Sequence, residues 1–215
     1  MFNKNTFFYF ISVLLVATVT SSCSKDEEFD IPKGLVAIDL GLPSGTKWAN
    51  MNVGALSQEK TGDYYAWGET EKKSDYSWKT YTHCDGTKET CHDLGESIIG
   101  TRYDVAHVTW GGDWQMPSME QVAELINSCT TTWTTFNGVW GVKFVGPNGN
   151  SIFIPEAGTH IWKESYSQYH GFYWAGDVNL ENAQFASRLY FDSHNVGCDY
   201  FSFRYIGQPV RPVKK

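Results

Sequence analysis

The sequence is short of positive charge, of catalytic signatures and of apolar runs. Seventeen Lys and Arg stand against 24 Asp and Glu in 215 residues, a formal net charge of −7, and a chain so poor in bases is not expected to bind nucleic acid. After one apolar run at the start, no second segment is long enough to suggest a transmembrane helix. A nucleophile elbow, a P-loop, an H-E-x-x-H helix and a dinucleotide fingerprint are all missing, so the expected activity is non-catalytic. Charged residues make up 19%, below the roughly 25% of an average domain. Aromatics fill the shortfall, with 9 Trp, 12 Tyr and 13 Phe, and rings with polar tips serve well at contact surfaces.

The apolar run from Phe7 to Val19 follows a single base, Lys4, and gives way to small residues, which is the layout of an export signal. Thr20, Ser21, Ser22 and Cys23 resemble a lipobox with Thr in place of the usual Leu. Residues 1–22 are therefore expected to be a lipoprotein signal peptide and Cys23 the lipid-bearing residue. Cleavage there leaves 16 basic against 24 acidic side chains, about −8. Residues 23–33, with Lys25, Asp26, Glu27, Glu28 and Asp30, read as a flexible acidic tether. A lysine followed by acids beside a lipidated cysteine resembles the signal that sends Bacteroidetes lipoproteins to the cell surface. The expected location is the outer membrane, lipid-anchored and surface-exposed, with the membrane as a partner through the anchor.

Residues 34–215 fit one domain. Val36, Ile38 and Leu40 alternate with their neighbours, Gly41 to Gly45 turn, and Lys47 to Val53 resumes the pattern, predicting an opening hairpin. Residues 57–100 have little periodicity and read as a long excursion fastened by Tyr64, Tyr65 and Trp67. A short helix is predicted over 103–108. Ser118 and Gln121 form a capping box, and Val122, Leu125, Ile126 and Cys129 then fall on one helix face. Strands over 131–135, 139–145 and 151–154, joined by Asn137-Gly138 and Asn148-Gly149, predict a meander. Further strands are expected over 171–174, 187–191 and 208–213, the last at an edge because of Pro209 and Pro212. The class is α+β, mostly antiparallel β with one or two helices and long loops.

Five segments, Asp39 to Ala49, Gly62 to Glu69, His107 to Pro117, Gly146 to Pro155 and Pro209 to Val213, carry a resemblance that spans nearly all of the chain after Gly34. They resemble the Fibrobacter succinogenes major paralogous domain family. The resemblance implies a C-type lectin-like fold related to the formylglycine-generating enzyme group, with the first and last strands paired. The active-site cysteine pair of those enzymes has only Cys198 as a counterpart here. The Glu-Pro-Asn and Trp-Asn-Asp calcium signatures of true C-type lectins are missing too, so no cofactor or metal ligand is assigned, and calcium is left open for oxygen-rich loops. Lipoproteins of this kind include targets of diversity-generating retroelements, and Gly197 through Ile206 are all reachable from an asparagine codon.

His83-Cys84 and Cys91-His92 could form a Cys₂His₂ metal set, but in an exported protein a Cys84–Cys91 disulfide is the preferred reading. Cys129 reads as a buried hydrophobe, and whether it pairs with Cys198 is open. Tyr173, Trp174, His194, Asp199, Tyr200, Phe203, Arg204 and Tyr205 crowd aromatic and polar groups near the chain end, a composition suited to a contact surface for a glycan or protein ligand. Alternate members of such a run also suit a core strand. Two other expectations stand beside the binding module: an enzyme acting on a surface polysaccharide or peptide, and a structural component of an envelope assembly.

Overall fold

The computed structural model describes residues 29–166 and 169–215. The expected signal peptide and Cys23 lie outside the described residues. Among the described residues, Phe29 and Asp30 already contact the domain ahead of its expected start at Gly34. The Asp30 amide donates to the Thr109 carbonyl at 2.9 Å.

Eleven strands and two helices make up the described chain. β1 (Ala37–Asp39) and β2 (Lys47–Ala49) form the expected opening hairpin. β11 (Val213–Lys214) closes that sheet, but it pairs with β2, in the order β1-β2-β11. The implied pairing of first and last strands is thus displaced by one strand. The final strand is also much shorter than 208–213, because Pro209 and Pro212 withhold ladder donors. α1 (Val105–Trp110) starts two residues later than predicted because Asp104 caps it. The buried Asp104 carboxylate accepts four amides, from Gly100, Ala106, His107 and Met116, at 2.9–3.1 Å. Burial pushes its pKa up while those four donors pull it down.

α2 (Met119–Ser128) carries the predicted capping box. Ser118 Oγ accepts from the Gln121 amide at 3.1 Å and Gln121 Oε1 from the Ser118 amide at 2.9 Å. Its Val122 and Leu125 are buried. β3 (Thr130–Phe136), β4 (Val139–Val145) and β5 (Ser151–Pro155) form the meander. Asn137 and Gly138, both at positive φ (48° and 80°), make the two-residue turn whose twist suits a hairpin. A small hairpin that the sequence did not announce follows, β6 (Thr159–Ile161) with β7 (Glu164–Tyr166). Three longer antiparallel strands complete the fold: β8 (Gly171–Val178), β9 (Phe185–Phe191) and β10 (Val196–Phe203), in the order β10-β9-β8.

Two large apolar clusters, beside a smaller one of Ala66, Tyr76, Tyr81 and Cys84, hold these parts together. One gathers Leu40, Trp48, Leu125, Phe144, Ile152, Leu189 and Phe191 between α2 and the two three-stranded sheets β3-β4-β5 and β8-β9-β10. The other packs Met51, Trp67, Ile98, Trp110, Trp114 and Val210 under α1. The stretch 57–100 holds no helix or named strand. It is fastened by backbone bridges such as Tyr65 to Gln208 and Ser97 to Asp177, with Tyr65 and Trp67 buried and Tyr64 half-buried. The mostly antiparallel β architecture with two helices is as expected. Among the described residues, no helix is long and apolar enough to cross a membrane.

Candidate functional site

A groove of about 840 Å³ opens between the first turn of α2, the end of β8 with the turn that follows it, and the middle of β10. Local hydrogen bonds shape its walls. The Asp177 carboxylate accepts the Met119 amide at 2.6 Å, tying β8 to the positive end of α2. Asn179 Oδ1 accepts the amides of Glu181 and Asn182 at 2.9 and 3.1 Å. That turn leaves Leu180 73% exposed. Across the groove, β10 shifts register between Asp199 and Ser202. At that bulge Asp199 takes a two-pronged contact from Arg188 (3.0 and 3.2 Å) and also accepts the Phe201 amide at 3.0 Å. Phe201 is left 70% exposed.

Glu96, Glu120, Asp177, Glu181 and Asp199 line this groove, and no Lys or Arg does. The resulting field is negative, as on the chain overall. Burial, followed by the Asp177 charge, raises the pKa of Tyr200, so its hydroxyl stays protonated and can donate. The site therefore offers carboxylate acceptors, one phenol donor and two exposed apolar side chains. Such a set can receive hydroxyl or ammonium donors alongside an apolar group.

The expected contact residues divide sharply. Asp199 and Tyr200 line the groove. Phe203 and Tyr205 are half-buried in a row of rings that runs from Trp78 through Tyr205 (4.8 Å), Phe203 (5.7 Å) and Phe185 (4.4 Å) to Phe201 at the groove mouth (6.5 Å). His194 is exposed in the β9–β10 turn, its Nδ1 2.8 Å from Ser193 Oγ, and takes no part in the groove. Tyr173 and Trp174 are core residues, each 1% exposed. The Tyr173 hydroxyl donates to the Pro155 carbonyl and the Trp174 indole to the Tyr65 carbonyl, so neither is available to a ligand.

Arg204 is likewise 1% exposed. Its guanidinium lies 4.7 Å from the Trp67 ring and donates to Tyr81 Oη, the His92 carbonyl and the Ala183 carbonyl at 2.9–3.2 Å. It builds the floor on which the end of β10 rests. Arg211 is its counterpart, fully buried and bonded to Asn52 and the Ala49 carbonyl, with burial lowering its pKa to about 10. Sequence reasoning missed Leu180. An isolated apolar residue inside the polar turn 179–182 was the available signal.

Cys84 and Cys91 face each other in a backbone bridge with their sulfurs 2.6 Å apart, as free thiols. The flanking imidazoles turn elsewhere: His83 Nε2 contacts the Gly68 carbonyl at 2.9 Å and His92 pairs with Asp85 at 3.1 Å. Cys129 and Cys198 are both free and both pack against the core cluster beside α2. Among the described residues, no group of three or more His, Cys, Asp or Glu side chains could hold a metal ion. Ser165 Oγ lies 2.9 Å from His160 Nε2 across β6 and β7, but no carboxylate is recorded on the other ring nitrogen to orient it as a base. Comparison with known protein families, curated proteins and solved structures returns no match for the chain.

Proposed function

We propose that this chain is a lipid-anchored, surface-displayed binding module that contacts a glycan or protein ligand through the groove between α2, β8 and β10, without catalysis. The observation that carries the reading is the exposure of Leu180 and Phe201 at the mouth of an acid-lined groove. Exposed apolar side chains set together at the mouth of a groove and rimmed by polar groups are the pattern that marks an interaction site. The sequence features at Cys23 support the anchor. The five segments from Asp39 to Val213 support a C-type lectin-like fold within the Fibrobacter succinogenes major paralogous domain family. In this reading the Cys84 and Cys91 thiols join as a disulfide after export, and β10 is the segment open to retroelement diversification.

The test is a glycan and protein array probed with the full chain and with Leu180→Ala, Tyr200→Ala and Phe201→Ala variants. Each variant is expected to weaken binding of any captured ligand at least tenfold, while Leu180→Ala and Phe201→Ala change stability by less than about 0.5 kcal/mol. Capture that all three variants leave intact would move the site elsewhere. Turnover of an arrayed glycan or peptide would favour an enzyme instead.

A further inference from the structure

The β3 strand has an open side that no helix or strand among the described residues covers. It lies at the end of the β3-β4-β5 sheet and all seven of its residues pair with β4 in unbroken register, from Thr130 opposite Val145 to Phe136 opposite Val139. The two-residue turn makes Phe136 and Val139 the first hydrogen-bonded pair, and bonded and non-bonded pairs then alternate along the ladder. The backbone amides and carbonyls of Thr131, Trp133 and Thr135 therefore point away from β4. No hydrogen bond is recorded for them on that side.

Proteins normally guard such an edge with a charge, a proline, a bulge or a covering element. β3 has none of the first three: its sequence is Thr-Thr-Thr-Trp-Thr-Thr-Phe. Nor does any helix or strand other than β4 make substantial contact with it. Of the two long edges of the other sheet, β8 is bridged to Ser97 and Gly158, and β10 is bulged and carries Asp199.

The sequence of β3 also reads nearly the same in both directions about Trp133. Laid antiparallel on a second copy of itself, Trp133 meets Trp133, Thr132 meets Thr134 and Thr131 meets Thr135. This is the register that uses all three outward-facing residues, giving about six backbone hydrogen bonds. It also brings Thr opposite Thr and Trp opposite Trp, pairs that favour strand association. The half-buried Trp133 already stacks on Trp140, which is 43% exposed, so four indole rings would gather near the two-fold axis. Charge does not oppose this occupant. Each copy carries −7 overall, and two copies repel wherever their acids meet, but residues 130–136 carry no charge.

We infer that β3 is a homodimerisation edge, joining two copies of this chain through an isologous β3–β3 pairing centred on Trp133 into a continuous six-stranded sheet. The contact is at the small end of specific interfaces, which bury about 1,200–2,000 Å² in total. The dimer is therefore weak in free solution.

Sedimentation velocity on the full chain in detergent, over roughly 1–500 µM, tests this. The unaltered chain is expected to move from monomer to dimer across that range. A double Thr131→Lys, Thr135→Lys variant and a double Thr131→Glu, Thr135→Glu variant are each expected to stay monomeric, because like charges then face each other across the axis. Both should keep the circular dichroism and melting temperature of the parent, since both positions are exposed. An equimolar mixture of the two is expected to dimerise, because the proposed register sets every new lysine opposite a new glutamate. A parent chain that stays monomeric throughout overturns the inference and leaves the edge to an extended peptide from another protein. So does a dimer that survives in either like-charged variant, or a mixture that fails to associate.

Discussion

The two long open edges of the molecule are built on opposite plans. β10 breaks its register at Asp199, turns Tyr200 and Phe201 toward a groove and stands on a buried guanidinium. β3 keeps perfect register, carries no charge and stands on an ordinary hairpin. A bulge spoils an edge for backbone pairing while re-aiming side chains, so β10 is equipped to recognise through side-chain chemistry. A regular, uncharged edge leaves its outward backbone donors and acceptors free and so suits pairing with another strand. Under the proposed binding and dimerisation, one fold separates two kinds of contact by the regularity of two strands.

That contrast can be broken most severely from beneath β10. Arg204→Met is expected to destabilise the fold by about 2–4 kcal/mol in urea unfolding, because the cation–π contact with Trp67 is lost and two carbonyls lose their donor. The same variant should weaken groove binding yet leave association through β3 unchanged at temperatures where the chain remains folded. Equal loss at both edges would mean that they are not independent.

Acid should reveal the difference more gently. Burial lowers the pKa of both His83 and His160. A depressed folded value means the unfolded chain binds protons first, so their stabilising contribution is whole above about pH 6.5 and is lost as pH falls through the lower folded values. His83 touches the Gly68 carbonyl next to the Trp67 that supports Arg204, and His160 is bridged to Gly207. Protection factors from hydrogen exchange, corrected for the slower intrinsic exchange in acid, are therefore expected to fall in β10 and over 204–208 between pH 7 and pH 5, with those of β3 and β4 steady. A uniform fall would count against the assignment.

The hairpin side of the molecule was legible in the sequence. Ser118 with Gln121, and Asn137 with Gly138, announced the start of α2 and the β3–β4 turn because capping and positive φ are local demands. The groove was only half legible. Tyr173, Trp174 and Arg204 looked like contact residues because aromatic and polar groups cluster in that stretch, yet alternation along β8 sends Tyr173 inward. Arg204 goes inward because its partners Trp67, Tyr81, His92 and Ala183 lie far away in sequence. No local pattern reports a cation that will be met by a ring and two carbonyls from distant loops. The β6–β7 hairpin escaped notice for a related reason, being held by bridges to Tyr76 and Gly207 and not by an alternating pattern of its own.

Asp104 and Arg204 also differ in when each can act. Every amide that Asp104 gathers comes from residues 100–116, so its contacts close small loops and can form while the rest of the chain is still searching. Arg204 waits for segments more than a hundred residues away. The carboxylate is expected to govern how fast the chain folds, and the guanidinium how long it stays folded. Asp104→Asn should mainly slow refolding and Arg204→Met mainly hasten unfolding in stopped-flow traces. The support under the end of β10 is then expected to be the last part of the molecule to be laid, and to set the lifetime of the whole.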